Sequence, residues 1–211
     1  MKVISMQVGA IGTNCYLVKD ETSGLGFVVD PGDEAERILS AVQTQKMDVR
    51  YIFLTHAHFD HVLAAAALQR ATGANLVVHT LDAPKLRTEA MTEFRSFLRG
   101  GYDEPRADIL VNGGECFEVG SMKAEYLYTP GHTNGSCCVR VGDCLFSGDT
   151  LFRLECGRCD LPTGDFSQML ASLAALAAIG EDLRVYPGHD RASTLAYERA
   201  HNPYIRQALA R

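Results

Sequence analysis

Residues 53–62 read FLTHAHFDHV and bring three histidines, His56, His58 and His61, and one carboxylate, Asp60, together within six positions. The apolar run before them is typical of a strand that is covered on both faces. Imidazoles and a carboxylate this close would disfavour one another's protonation or be left unpaired. A divalent cation removes this conflict, because it binds neutral imidazoles and ionised carboxylates. The stretch therefore predicts a metal site.

Three further segments repeat the same order of an apolar strand, a tight turn and a metal-binding side chain. EYLYTPGH ends at His132, CLFSGD ends at Asp149, and LRVYPGH ends at His189. Ligand sites gather at strand ends in sheets that are covered by helices, so we expect these strand ends to converge. A lone histidine is more often a surface or hydrogen-bonded residue than a ligand, and we interpret His79 and His201 in that way.

The number and type of these side chains indicate two metal ions. A tetrahedral zinc takes four ligands at most, and a catalytic zinc takes three and a water. A structural zinc site would be rich in cysteine, and a calcium or magnesium site would be built from oxygen. Imidazole with some carboxylate indicates zinc, with iron or manganese as alternatives. The predicted ligands are His56, His58, Asp60, His61, His132, Asp149 and His189.

Composition and charge exclude several classes of function. The chain of 211 residues is 46% hydrophobic and 22% charged, and its net charge of −6 comes from 20 basic and 26 acidic residues. The sequence contains no block of basic residues that could neutralise phosphates, so we do not expect a nucleic acid as partner. No window approaches about 18 uninterrupted apolar residues, so we expect no membrane span. The N-terminal segment alternates like a strand and does not resemble a signal peptide.

The cysteines favour a cytoplasmic location. There are seven, an odd number, and most lie in apolar runs, as is typical of reduced cysteines that pack as small hydrophobic residues. Cys156 and Cys159 form a C-x-x-C pair, but a single such spacing is weak evidence for a redox or zinc site. The surrounding CGRCDLPTGD is rich in turn residues, and no second pair is present for a zinc ribbon, so we interpret both cysteines as structural.

Periodicity predicts a single domain, residues 1–211, of mixed sheets with helices outside. Asp33 is the predicted N-cap of the first helix, and Gly73 the predicted end of the second. Residues 82–99 form a longer amphipathic segment, and residues 82–106 are expected to border the active site or an interface. Strands are predicted at 2–8, 14–20, 26–32, 49–55, 75–80, 116–120, 122–131, 137–142, 144–149 and 184–188. Helices are predicted at 33–45, 59–73, 165–180 and near 193–200.

The order of the motifs THAHFDH, TPGHT, FSGDT and YPGHD resembles the metallo-β-lactamase fold superfamily, and within it the chain is most similar to the glyoxalase II group. The motifs run from residue 55 to residue 189, so the resemblance covers nearly the whole chain. T-H-x-H-x-D-H is a specific motif. The resemblance implies an αββα sandwich of the mixed α/β (α+β) class, with the metals at one edge between the two sheets.

The resemblance also implies roles for the predicted ligands. A water that bridges two cations has its pKa lowered toward about 7, and the resulting hydroxide would be the nucleophile. One metal would polarise the substrate carbonyl, and Asp60 could also orient the hydroxide. The implied substrate is a small-molecule thioester. The resemblance places His56, His58 and His132 on the first metal, Asp60, His61 and His189 on the second, and Asp149 between them.

The loop after Asp149 bears on the thiol carrier of the substrate. Arg158 matches a basic residue that contacts glutathione in glyoxalase II, whereas Asp160 stands where the family has an aromatic residue. A structural ion pair between Arg158 and Asp160 is an equal alternative. Classical glyoxalase II carries an extra C-terminal helical domain, for which this sequence, ending in HNPYIRQALAR, leaves no room, so glutathione specificity is not implied.

Two other functions are compatible with the motifs. CGRCDLPTGD also resembles the G-R-T-D segment of persulfide dioxygenases, in which one iron would be held by His58, His132 and Asp149. A metal-binding member without enzymatic activity is the third possibility, and the seven intact ligand positions disfavour it. The sequence gives no oligomeric state.

Overall fold

Two six-stranded sheets face each other, each built from one half of the chain. We describe them from a computed structural model, which covers residues 1–91 and 101–210. The first sheet contains, in spatial order, β1 (Lys2–Val8), β2 (Thr13–Lys19), β3 (Leu25–Val29), β4 (Asp48–Phe53), β5 (Asn75–His79) and β6 (Ile109–Val111). The second contains β7 (Cys116–Val119), β8 (Met122–Tyr128), β9 (Cys137–Val141), β10 (Cys144–Gly148), β13 (Arg184–Pro187) and β14 (Ser193–Thr194). A short hairpin of β11 (Leu151–Phe152) and β12 (Glu155–Cys156) lies between β10 and β13 in sequence.

Helices cover the outer face of each sheet. Ile38 and Leu68 anchor the first two long helices on the first sheet, and Leu173 and Ile205 anchor the later helices on the second. This arrangement is the αββα sandwich that the family resemblance implies. The helices are α1 (Ala35–Thr44), α2 (Phe59–Val62), α3 (Ala65–Thr72), α4 (Phe166–Ala177), α5 (Leu195–His201) and α6 (Pro203–Leu209).

The space between the sheets is filled mainly by aromatic and β-branched side chains. On β3, Phe27 and Val29 point into this space, whereas Val28 points to the helices, as the two-residue period of a strand requires. The Phe27 and Phe53 ring centroids lie 4.8 Å apart, and Tyr126 is fully buried beside them. Each such side chain stabilises the fold by about 1.5–3 kcal/mol through burial. This packing fixes the position of one sheet relative to the other.

The strand directions bring four strand ends to one edge of the sandwich. Strand β10 is parallel to β13 and antiparallel to β9, which is antiparallel to β8, so β8, β10 and β13 end on the same side. At this edge the Cys137 N–H of the second sheet donates to the Thr55 carbonyl, just after β4, at 2.8 Å. The loops that follow β4, β8, β10 and β13 therefore meet in one place.

The predicted cap of the first helix is wrong. Helix α1 starts at Ala35, and its N-cap is Glu34, whose φ of 54° is left-handed and whose side chain makes no capping bond. The Asp33 carboxylate instead accepts from the Glu34 N–H at 2.6 Å, and the Glu34 carboxylate accepts from the Gly9 N–H at 3.0 Å. The Glu34 carboxylate also accepts from the Arg37 Nη1–H at 2.8 Å, so it bonds to a neighbouring loop and to a side chain of the first helical turn.

The single helix predicted at 59–73 is also wrong, because the structure has two helices there. The Ala64 N–H donates to the Pro31 carbonyl at 3.0 Å, and this tertiary hydrogen bond lies at the break between α2 and α3. The predicted end is confirmed, since Gly73 adopts a left-handed φ of 72°. Of the amphipathic segment predicted at 82–99, Ala83–Leu86 form a 3₁₀ turn, and residues 92–99 lie outside the described residues.

Several elements of the described residues were not predicted: the strand β6, the hairpin of β11 and β12, the strand β14, which lies inside the helix predicted near 193–200, and the helix α6. No helix in residues 1–91 and 101–210 is both long and apolar enough to cross a bilayer.

Candidate metal centre

All seven predicted ligand side chains meet at the shared edge of the two sheets. Their ring and carboxylate atoms come within a few ångströms of one another. The Nδ1 of His58 lies 2.8 Å from the Nε2 of His132, and the Nε2 atoms of His61 and His189 lie 3.4 Å apart. The rings of His56 and His61 have centroids 4.1 Å apart, which connects the two halves of the cluster.

His56, His58 and His132 form the first donor group, in which one nitrogen of each ring lies within 4.8 Å of the others. Their remaining contacts fix how the rings are turned. The Nδ1 of His132 donates to the Arg158 carbonyl at 2.7 Å, so its Nε2 lone pair faces the group. Thr55 Oγ1 donates to the Asp30 carboxylate at 2.6 Å and therefore accepts from His56 Nδ1 at 3.1 Å, which leaves the His56 Nε2 lone pair free for a metal.

Asp60, His61 and His189 form the second donor group by the same distance criterion. The His189 Nε2 lies 3.2 Å from Asp60 Oδ2, which also accepts from Thr13 Oγ1 at 2.9 Å. The His61 Nδ1 lies 3.0 Å from the Asp30 carboxylate and donates to it, so the His61 Nε2 points toward the group. Each donor group thus presents lone pairs to a common point.

Asp149 faces both donor groups. Its Oδ1 lies 3.5 Å from the His61 Nε2, and its Oδ2 lies 3.4 Å from the His132 Nε2 and 3.6 Å from the His189 Nε2. The backbone of Gly188 passes so close to Asp149 that any Cβ at this position would collide with the Oδ1 atom. Glycine in YPGH is therefore required for this packing.

Two orphaned atoms support a metal at this cluster. The His56 Nε2 and the Asp149 Oδ1 are buried, and neither has a hydrogen-bond partner. An unsatisfied buried polar atom costs about 1–3 kcal/mol, so two of them in one cluster need an explanation. Divalent transition metals bind imidazole and carboxylate together. The donor set therefore fits such ions.

Burial and neighbouring charges set opposite protonation preferences within the cluster. Burial lowers the pKa of His56 and of His132 and lowers the pKa of His58 to about 3, so these imidazoles are neutral at pH 7. Burial also acts to lower the pKa of His61, but the carboxylates of Asp60, Asp149 and Asp30 raise that pKa to about 10. The negative charge of the cluster is thus concentrated around His61.

A third group of donor atoms contains Asp30 with His56 and His61. Asp30 differs from the other carboxylates because its oxygens already accept hydrogen bonds from the Thr55 N–H, the Thr55 Oγ1–H and the His61 Nδ1–H. We therefore interpret Asp30 as a support for the histidines. The sequence reasoning missed it, although Asp30 follows an apolar strand in VVDPG as the predicted ligands do.

The structure also places the other candidate residues. Arg158 forms a two-bond ion pair with Asp160, with both N–O distances at 2.7 Å and both side chains mostly exposed. His79 is buried and stacked on Tyr128 with centroids 4.6 Å apart. His201 is exposed, and neither of these two histidines belongs to the cluster, as expected.

A cavity of about 510 Å³ opens over the cluster, and Arg158, Phe152 and Ile11 line it together with the ligands. A second cavity of about 280 Å³ adjoins it at His58 and Leu161 and is lined mostly by apolar side chains. Lys85, Ala90 and Met91 border this second cavity, so the described part of residues 82–106 does edge the site.

The profile of the Metallo-beta-lactamase superfamily matches residues 8–189, which contain the whole cluster. The chain belongs to the metallo-beta-lactamase superfamily. Membership of this superfamily supports a metal-dependent, hydrolase-type function for the chain. The hydroxyacylglutathione hydrolase GloC of Haemophilus influenzae is 29% identical to this metallo-beta-lactamase superfamily chain over 210 residues, covering 97% of the chain and 98% of GloC.

Solved structures of the superfamily resemble this chain over almost its full length. The B3 metallo-beta-lactamase BLEG-1 gives a TM-score of 0.89 at 29% identity, covering 97% of this chain and 99% of that one. TTHA1623 in a di-iron-bound form gives 0.85 at 35% identity, covering 96% and 100%. ETHE1 from Myxococcus xanthus gives 0.80 at 30% identity, covering 96% and 84%. These solved structures share one fold but belong to differently named proteins, so the fold alone does not identify the substrate.

Proposed function

We propose that this chain is a binuclear metal-dependent hydrolase that cleaves thioesters of small molecules. The observation that carries the proposal is the position of Asp149, whose carboxylate lies within 3.6 Å of imidazole nitrogens in both donor groups. Seven donors exceed the needs of one ion, and one carboxylate between two groups suits a pair. The similarity to GloC, whose name denotes a hydrolase of hydroxyacylglutathione, supports a thioester as substrate.

The residues of the chain have distinct parts in this reaction. When bound, two divalent cations would supply an activated water at neutral pH and a Lewis acid for the carbonyl oxygen. Asp60 is held by Thr13 and His189, and its carboxylate is placed to orient the attacking water. Hydrolysis adds the water oxygen to the carbonyl carbon, breaks the C–S bond and passes a proton to the leaving thiolate. The products are a carboxylic acid and a thiol.

We assign the large cavity over the cluster to the substrate. Its volume of about 510 Å³ lies within the ordinary range for small-molecule sites. Arg158 lines this cavity, and we propose that it contacts an anionic thiol carrier in competition with Asp160. The structural ion pair between Arg158 and Asp160, which is the alternative role for Arg158, is present as well.

We propose zinc as the native metal, with iron or manganese as alternatives. The di-iron-bound form of TTHA1623, at 35% identity, supports the iron alternative and also supports a two-metal centre. We also propose a cytoplasmic location, since all seven cysteines are free and four of them are buried, a pattern typical of reducing compartments.

The experiment that tests the proposal is elemental analysis of the purified and metal-reconstituted protein, combined with a panel of thioesters. We expect about two ions per chain and chelator-sensitive hydrolysis. His61→Ala and His189→Ala should each remove one ion and lower hydrolysis severely, whereas His79→Ala, outside the cluster, should keep both ions. A content of no more than one ion after reconstitution would reject the binuclear centre. Cleavage of a β-lactam but of no thioester would instead support a function like that of BLEG-1.

A further inference from the structure

The Asp82 carboxylate is fully buried and connects two loops that carry predicted ligands. Its Oδ2 accepts from the Ala57 N–H at 2.9 Å and from the Thr133 Oγ1–H at 2.9 Å. Ala57 is the residue between His56 and His58, and Thr133 directly follows His132. One oxygen atom therefore bonds to the backbone of one loop and to a side chain of the other, and these two loops supply the first donor group.

The neighbourhood of Thr133 makes this connection rigid. Its Oγ1 lies 2.9 Å from the Ser136 Oγ and accepts from the Gly135 N–H at 3.2 Å. The backbone of Gly135 packs directly against the Asp82 carboxylate, and a Cβ at Gly135 would collide with it. The loop after His132 is thus closed around Asp82.

Charge balance allows Asp82 to be buried. The Lys85 ammonium, on the same 3₁₀ turn, pairs with the Asp82 Oδ1 and also donates to the Asn134 Oδ1 at 3.1 Å. A buried carboxylate without a partner would be strongly destabilising, and the Lys85 ammonium balances the negative charge of Asp82. The buried carboxylate is thereby available for its hydrogen bonds to the two ligand loops.

The second donor group has a different support. Asp30 accepts from His61, and Thr13 donates to Asp60, whereas the Asp82 Oδ2 accepts from Ala57 and Thr133. Because the hydrogen bonds of Asp82 go to the two loops of the first donor group, its loss should change the first metal site more than the second.

We propose that Asp82 is a positioning residue that sets the geometry, and hence the metal affinity, of the group formed by His56, His58 and His132. This inference rests on the proposed metal centre. Residues that orient metal ligands commonly change metal affinity by about 10- to 100-fold when they are replaced. In Asp82→Ala the Ala57 N–H and the Thr133 hydroxyl lose their acceptor, and the two loops are no longer joined.

The test is a titration of the metal-free protein with cobalt(II), followed by the visible absorption of the bound ion and by competition with a chelator. We expect Asp82→Ala to weaken one of the two cobalt sites by about 10- to 100-fold and to change its absorption spectrum. Thr133→Val, which removes only one hydrogen bond, should give a smaller change of the same kind. Asp82→Asn keeps an acceptor oxygen for Ala57 and should lie between wild type and Asp82→Ala.

The matched control is Asp20→Asn. Asp20 is a buried aspartate that, like Asp82, accepts backbone N–H and hydroxyl bonds, but its donors are Thr22, Ser23 and Ser121, away from the cluster. We expect it to change thermal stability and to leave both cobalt sites unchanged. If Asp82→Asn and Thr133→Val fold and bind both ions as the wild type does, Asp82 is no positioning residue. If the wild type itself binds no cobalt, the proposed metal centre fails instead.

Discussion

Asp149 lies within 3.6 Å of imidazole nitrogens in both donor groups. We therefore expect Asp149→Ala to lower metal content at both sites and to reduce thioester hydrolysis more than any single histidine variant does. Elemental analysis after dialysis, together with the hydrolysis rate, measures both effects. Asp160→Ala, an exposed aspartate next to the cavity, is the control and should retain both ions. Wild-type metal content in Asp149→Ala would show that the carboxylate is not shared.

Arg158 and Asp160 give a second prediction at the scale of the residue. Both side chains are exposed, so their ion pair is weak and screened by salt, and a substrate anion can compete for the guanidinium. Arg158→Ala should raise KM for an anionic thioester by about two- to fivefold, and Asp160→Asn should lower it by a similar factor. A neutral thioester serves as the comparison, since its KM should not change. Equal effects on both substrates would assign Arg158 a structural role only.

How much of the site was predictable depends on the kind of residue. The seven ligands stand next to apolar strands in short motifs, and their chemical type is visible in the sequence. Asp30 also directly follows an apolar strand, so its place in the site could have been predicted. Asp82 lies in HTLDAPKL, where the sequence shows no comparable pattern. Its role depends on contacts with Ala57 and Thr133, which only the fold brings together.

At the scale of the element, periodicity located the longer strands and the long helices, but it missed the short strands β6, β11, β12 and β14 and the points where tertiary contacts interrupt a helix. The break between α2 and α3 coincides with a hydrogen bond from Ala64 to Pro31, which no local pattern shows. Helix α6 is short and starts with Pro203 directly after α5, so the two could not be separated by periodicity alone.

The cap of α6 gives a prediction about stability. The Asn202 Oδ1 accepts from the Tyr204 and Ile205 N–H groups, and its Nδ2 donates to the Glu155 carbonyl at 3.0 Å. Asn202 is fully buried, so Asn202→Ala loses the cap and leaves partners unsatisfied, which should lower the free energy of unfolding by about 2 kcal/mol or more. Thr194→Ala, the less buried cap of α5, should cost about 1 kcal/mol. Urea unfolding of both variants measures the difference, and equal losses would contradict this account.

At the scale of the whole molecule, Asp20 links the two sheets, because it follows β2 and accepts from the Ser121 N–H in the turn before β8 at 2.8 Å. This bond, with those from Thr22 and Ser23, holds the pKa of Asp20 well below its usual value. Its stabilisation is therefore complete above the unfolded pKa of about 3.9 and is lost as the pH falls below that value. Asp20→Asn should be less stable than wild type at pH 7, with a smaller difference at acid pH. Thermal unfolding across that pH range checks this, and a constant difference would contradict it.

The αββα architecture with its metal-binding edge supports a hydrolase, and the most direct test of that claim is thioester cleavage without oxygen. The measurement is thiol release from a thioester by zinc-reconstituted protein under anaerobic conditions, with and without a chelator. We predict that thiol is released at the same rate without oxygen as with it. The chelator should abolish this release, and His61→Ala should lower its rate severely. Oxygen uptake with glutathione persulfide that depends on iron and persists in His61→Ala, without anaerobic thioester cleavage, would contradict the hydrolase and establish a dioxygenase.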